Sequence, residues 1–205
     1  PKQVLIENGF DRDDRSLNPR QTLPAPYNTV DRVRLRGSNT WDYIVQVASA
    51  IHTATPGVHV NSTSNEAIIS GAVNLTDYDT VIWILGEEST ADDTFNATEQ
   101  AKVEQFIAGG GNLLVSGAEI AWDLDAQSGG VSFFENTLRG NYVSDDSNTY
   151  NVTPAPGGIF AGLANFSFDD GTQFYNSEWP DVINPQAGAQ AALAYSGGTG
   201  GNAAI

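Results

Sequence analysis

The chain has 205 residues, 40% of them hydrophobic and 10% aromatic, with no cysteine, no methionine and a formal net charge of −16. That is enough apolar material for one sizeable core, but no run approaches the roughly 18 residues of a membrane span. The missing thiols exclude disulfides, thiolate metal sites and cysteine nucleophiles together. Charge is laid out unevenly. Residues 1–36 hold seven cations and five acids, whereas residues 37–205 hold only Lys102 and Arg139 against twenty acids. Such a body repels nucleic acid and anionic membranes and suits a saline or calcium-rich exterior. With Pro1 in place of Met and no signal peptide, the chain reads as a processed or excised piece of a longer secreted protein.

In chain order, Lys2–Glu7 reads as a first strand ending at Asn8-Gly9. Residues 11–30, polar and proline-bearing, read as loop. Arg32, Arg34 and Arg36 alternate with Val33 and Leu35, a strand-like period of two. A helix capped by Asn39 or Thr40 carries Trp41, Ile44, Val45, Ala48 and Ile51 on one face and stops at Pro56-Gly57. Val58–Val60 is a short strand. Asp79–Gly86 is a nearly continuous apolar run, as expected of a parallel strand buried on both faces. Asn96 with Glu99 makes a capping box for a helix that buries Val103, Phe106 and Ile107 and ends at Gly109–Gly111. Asn112–Ser116 is the next buried strand. It breaks at Gly117 into a helical stretch near Glu119–Leu124, and Val131–Leu138 is another short helix. From residue 141 onward, short strands and turns follow, among them Tyr142-Val143, Phe166–Phe168 and Ala191–Tyr195. Alternating strands and helices over residues 2–124 predict a Rossmann-like or flavodoxin-like three-layer α/β sandwich with a mostly parallel sheet and a loop-rich C-terminal part, one domain over 1–205.

Loops that follow parallel strands gather at the sheet's carboxyl edge, where α/β folds place their sites. Three such loops carry acids: Asp11 with Arg12 after the first strand, Glu87 and Glu88 after the strand Asp79–Gly86, and Glu119 after the strand Asn112–Ser116. Gly117-Ala118-Glu119-Ile120-Ala121 has the form of a nucleophile elbow, a tight strand-to-helix turn that projects its central residue. Here that residue is Glu119. It either takes part in chemistry or sits favourably at a helix N-terminus. Glu119 with Glu87 or Glu88 forms a candidate acid–base pair for a glycosidic bond. Asp11, Glu87 and Glu119 form an alternative set of Ca²⁺ ligands. Trp122, just past the elbow, is placed to stack on a sugar, and Asp11 and Arg12 complete a candidate ligand-binding set. Asp169-Asp170-Gly171 is first a turn signal. The two histidines, His52 and His59, do not follow the elbow in the order a hydrolase triad needs. No glycine-rich dinucleotide fingerprint follows the first strand.

The stretches Val81–Ser89, Asn112–Leu124 and Phe166–Gly171 resemble the domain of bacterial secreted proteins known as golvesin-associated or xanthan-lyase-like, similar in fold to class I glutamine amidotransferases and their ThuA-like relatives. The resemblance implies an extracellular habitat beside adhesion-type or carbohydrate-active modules. It also implies a further apolar strand after Ile205. Amidotransferases use a cysteine at the elbow, and this chain has Ala118 and Glu119 there, so no catalytic residue carries over. The expectation is a non-catalytic or catalytically degenerate secreted module that binds a polysaccharide or cell-surface ligand, with no nucleic-acid partner and no membrane insertion. The alternatives are a carboxylate-based polysaccharide enzyme and a calcium-stabilised structural unit.

Overall fold

The computed structural model describes residues 3–10, 20–31, 43–88, 90, 92–168 and 177–205. The first half builds a parallel sheet from strands β1 (Gln3–Asn8), β4 (His59–Ser64), β5 (Thr80–Gly86) and β6 (Asn112–Gly117), in the spatial order β4-β1-β5-β6. Between β1 and β4 lie a hairpin of β2 (Arg20–Thr22) with β3 (Thr29–Asp31) and the helix α1 (Tyr43–Ala54). The hairpin falls inside the stretch expected to be loop. Its three-residue strands lack the apolar alternation that marks a strand in sequence.

β5 is central, and its apolar run serves two cores at once. Val81, Trp83 and Leu85 face one side, with Leu5, Phe95, Val103, Phe106, Leu124, Phe133 and Phe134. Ile84 faces the other, with Ile6, Phe10 and Tyr43, against which Ile44, Val47, Ala48 and Ile51 of α1 also pack. Val45, expected on the buried face of α1, is 50% exposed. Trp41 and the expected caps Asn39 and Thr40 lie outside the described residues, as do Arg32, Arg34 and Arg36.

The short helix α2 (Asn65–Ile69) follows β4, and α3 (Ala97–Ala108) joins β5 to β6. The expected capping box is complete. The Asn96 side chain accepts from the amides of Thr98 and Glu99 at 2.8 and 3.1 Å, and the Glu99 carboxylate accepts from the Asn96 amide at 2.8 Å. At the other end, the amides of Gly109, Gly110 and Gly111 return to the carbonyls of Gln105, Ile107 and Phe106. Gly111 sits under the Phe106 ring, in a space that a Cβ would need.

β6 departs from expectation. Among the described residues it is the edge of the sheet, paired only with β5. Leu113 and Val115 turn toward the core while Leu114 is 44% exposed. A short apolar run does not separate an interior strand from an edge strand with one covered face. β4, the opposite edge, is longer than its apolar residues suggested. Its added residues Asn61–Ser64 are polar and pair with Leu5–Asn8 through the backbone.

After β6 the chain makes a π-helical turn over Trp122–Ala126. The short helix α4 (Val131–Phe133) then runs on as a π-helical turn over Phe134–Leu138. Strands β7 (Gly140–Ser144), β8 (Asn151–Pro154), β9 (Phe166–Ser167), β10 (Val182–Pro185), β11 (Leu193–Tyr195) and β12 (Asn202–Ala204) form a separate antiparallel sheet, ordered β7-β10-β12-β11-β8-β9. This sheet is additional to the parallel one. It has its own small core of Val152, Val182, Leu193 and Tyr195. Through Tyr142 and Ile183 it also packs against the main core. No helix among the described residues is long and apolar enough to cross a membrane.

Candidate functional site

The turn after β6 is built from small residues for a steric reason. A Cβ on Gly117 would stand 2.7 Å from the Leu85 Cβ, so only glycine lets β6 lie this close to β5 there. The Ala118 amide donates to the Gly86 carbonyl at 2.7 Å, which fixes the loops after β5 and β6 side by side. Glu119 then takes φ +54, the left-handed region that costs a non-glycine residue about 1–3 kcal/mol unless its surroundings impose it. The chain continues into helix, and the Asp123 amide donates to the Glu119 carbonyl at 3.0 Å. The turn therefore has the expected sharp form, with a half-buried glutamate at its apex.

What meets this elbow comes from the second sheet. Just before β10, Asp181 Oδ2 accepts hydrogen bonds from the amides of Ala121 and Trp122 at 3.0 and 2.9 Å. Asp181 Oδ1 is buried and accepts no hydrogen bond. Burial pushes the Asp181 carboxyl up to about 7. The two amide bonds oppose that shift, and the acids Glu119 and Asp145 add to it. The segment is anchored from behind: the Tyr195 hydroxyl donates to the Asp181 carbonyl at 2.7 Å and the Ser147 amide to the Pro180 carbonyl at 2.9 Å. Trp179, two residues earlier, is 53% exposed and also has a left-handed backbone, φ +50.

β7 supplies the next wall. The Tyr142 amide donates to Asp125 Oδ2 at 2.7 Å, and its ring lies 5.8 Å from that of Trp122, tilted by 59°. Desolvation first, then Asp145 and Asp181, raises the Tyr142 phenol above its ordinary range. Around the elbow there is thus a half-buried aromatic pair, Trp122 with Tyr142, next to Glu119, Asp145 and Asp181.

The other sequence candidates lie as follows. Glu87 is half-buried in the turn after β5. Glu88 is only 1% exposed, and its amide donates to the Leu85 carbonyl at 3.1 Å. Glu88 is thus withdrawn from water rather than a solvated loop acid. Asp11, Arg12 and Asp169-Asp170-Gly171 lie outside the described residues. Among the described residues, no three His, Cys, Asp or Glu side chains stand so as to hold a metal ion.

The usual ligand crevice of an open α/β sheet lies where neighbouring strands send their connections to opposite sides, here between the ends of β1 and β5. Phe10, 2% exposed, fills that place. It packs edge-on against Tyr43 with ring centroids 6.0 Å apart. Gly86 makes room for it, since a Cβ there would lie 3.1 Å from the ring.

Sequence reasoning located the elbow and Trp122 but missed Asp181, Asp145 and Tyr142. Asp181 is sixty residues from its amide partners, one acid among twenty-five, and nothing near it in sequence sets it apart. Comparison with known proteins gave no match, whether with family models, curated proteins or solved structures.

Proposed function

We propose that the chain is a non-catalytic, carbohydrate- or surface-binding module of a larger secreted protein. Its parallel sheet would then be a Rossmann-like frame of the kind found in class I glutamine amidotransferases and ThuA-like proteins, in keeping with the golvesin-associated and xanthan-lyase-like resemblance of its sequence. The observation that carries this reading is the Asp181 carboxylate on the amides of Ala121 and Trp122. In an elbow enzyme, the amide directly after the apex residue, the place of Ile120 here, is kept for the developing oxyanion. Here the Asp181 carboxyl group engages the next two amides of that turn, those of Ala121 and Trp122, and so sits against that place. The apex itself bears Glu119 in place of a serine or cysteine. Beside them, Trp122 and Tyr142 offer apolar ring faces flanked by carboxylates that accept hydrogen bonds from sugar hydroxyls.

A glycan array followed by calorimetry tests this. The expected result is binding to a polysaccharide without turnover, weakened about tenfold or more in Trp122→Ala, a loss of about 1.4 kcal/mol. Turnover by the wild type that disappears in Glu119→Gln would overturn it. That outcome would instead support the carboxylate-enzyme reading, which is favoured by one observation: Asp181 keeps its proton to about pH 7 beside a second carboxyl group, as the acid of an acid–base pair must. The calcium-stabilised reading requires a melting temperature that rises with millimolar Ca²⁺.

A further inference from the structure

We propose that Asp181 is a proton-operated latch that fastens the antiparallel sheet to the elbow of the parallel one. The geometry is that of a clasp. One carboxyl oxygen holds two amides of the turn after β6, while the backbone of the same residue is held by Tyr195 of β11. The other oxygen is buried with no hydrogen-bond partner. The side chain therefore ties elements far apart in sequence and leaves half of its own polar surface uncompensated.

The groups that face it come from every side of the clasp. Glu119 stands on the elbow, Asp145 and Tyr142 at β7, and Tyr195 on β11. The charged ones among them, Glu119 and Asp145, are both acids, so each disfavours a negative charge on Asp181. With its proton, Asp181 keeps its acceptor role toward Ala121 and Trp122 and buries no charge. Without it, the amide bonds strengthen, but a charge is held away from water beside two like charges. Movement of the Trp179–Asp181 segment away from the elbow relieves both costs and frees the amides of Ala121 and Trp122.

The sign of the effect follows from linkage. The folded chain holds this proton more tightly than the unfolded chain, where the carboxyl has its ordinary value of 3.8. The stability it contributes is complete below about pH 4 and is lost as pH rises through about 7. The net charge of −16 adds a general dependence of its own, but a variant at one residue shares it.

The test is carbon-detected NMR titration of the side-chain carboxyls in the wild type, with amide exchange at Ala121 and Trp122 and melting curves from pH 4.5 to 8.5 for the wild type and Asp181→Asn. The expected results are an Asp181 midpoint near 7, a midpoint moved down in Glu119→Gln, and protection of the two amides that falls above pH 7 after correction for intrinsic exchange. The wild type should also lose melting temperature relative to Asp181→Asn across the same range. A midpoint in the ordinary carboxylate range, or amide protection constant through pH 7, would overturn the latch. Should Asp181→Asn fail to fold, the titration and exchange of the wild type decide alone.

Discussion

The two sheets are held together by different means. The parallel sheet is held by apolar packing: Trp83, Phe95, Phe106 and Phe133 are each at most 2% exposed, and the rings of Trp83 and Phe95 lie 4.9 Å apart. The antiparallel sheet has strands of two to five residues over a core of four buried side chains. Much of its order comes from side chains that satisfy backbone groups. Ser147 Oγ donates to the Thr149 carbonyl at 2.8 Å, Thr199 Oγ1 to the Ser147 carbonyl at 3.3 Å, and Asn202 Nδ2 to the Ile183 carbonyl at 3.1 Å. The first mode of cohesion scales with apolar area. The second gains roughly 1 kcal/mol per bond and depends on each partner being in place. A chain can thus carry one robust sheet and one that responds to small chemical changes.

That contrast can be broken by mutation. Trp83→Ala should cost about 3–5 kcal/mol in urea unfolding, whereas Val152→Ala in the second core should cost about 2 kcal/mol. Equal losses would mean that the two cores are energetically alike. Gly198→Ala should cost more than about 1 kcal/mol, because the backbone there has φ +55 and the Ser147 carbonyl occupies the place of the new methyl group. If that loss appears in exchange of the second sheet alone, the sheets open separately; loss over the whole chain would show one cooperative unit. Asn96→Ala should cost about 1 kcal/mol by removing the capping box of α3, with no effect on the second sheet. Glu119→Gly should raise stability by about 1 kcal/mol, because relief of about 1–3 kcal/mol of left-handed backbone strain outweighs the entropy glycine adds to the unfolded chain. A loss of stability instead would show that the contacts of the Glu119 side chain outweigh its backbone strain.

The same contrast explains what could be read from the sequence. Asp79–Gly86, the Asn96–Glu99 box and the Gly117–Ala121 turn are local patterns whose causes lie within a few residues, and each appears where expected. The register of the sheet and the edge position of β6 are set by what packs on each face, so Leu113 and Leu114 look alike in sequence and face opposite ways. In the second half, strands such as Phe166-Ser167 are too short to show a period. The partners of others lie far off, as with Tyr142 and Ile183 or Pro154 and Leu193. The candidate site divides along the same line. The elbow and Trp122 belong to a local motif, while Asp181, Asp145 and Tyr142 arrive through the second sheet's topology.

Phe10 carries a practical consequence. Its ring stands in the crevice that other α/β sheets leave for a ligand, resting on Gly86 and Tyr43. Cutting the side chain back in Phe10→Ala would leave a hollow with apolar walls, the sort of space that takes up benzene-like molecules from solution. A small aromatic compound added to that variant would then act as a detachable piece of the core. Its concentration would set how firmly the ends of β1 and β5 are held, giving an external dial on a fold whose natural plug is covalently its own.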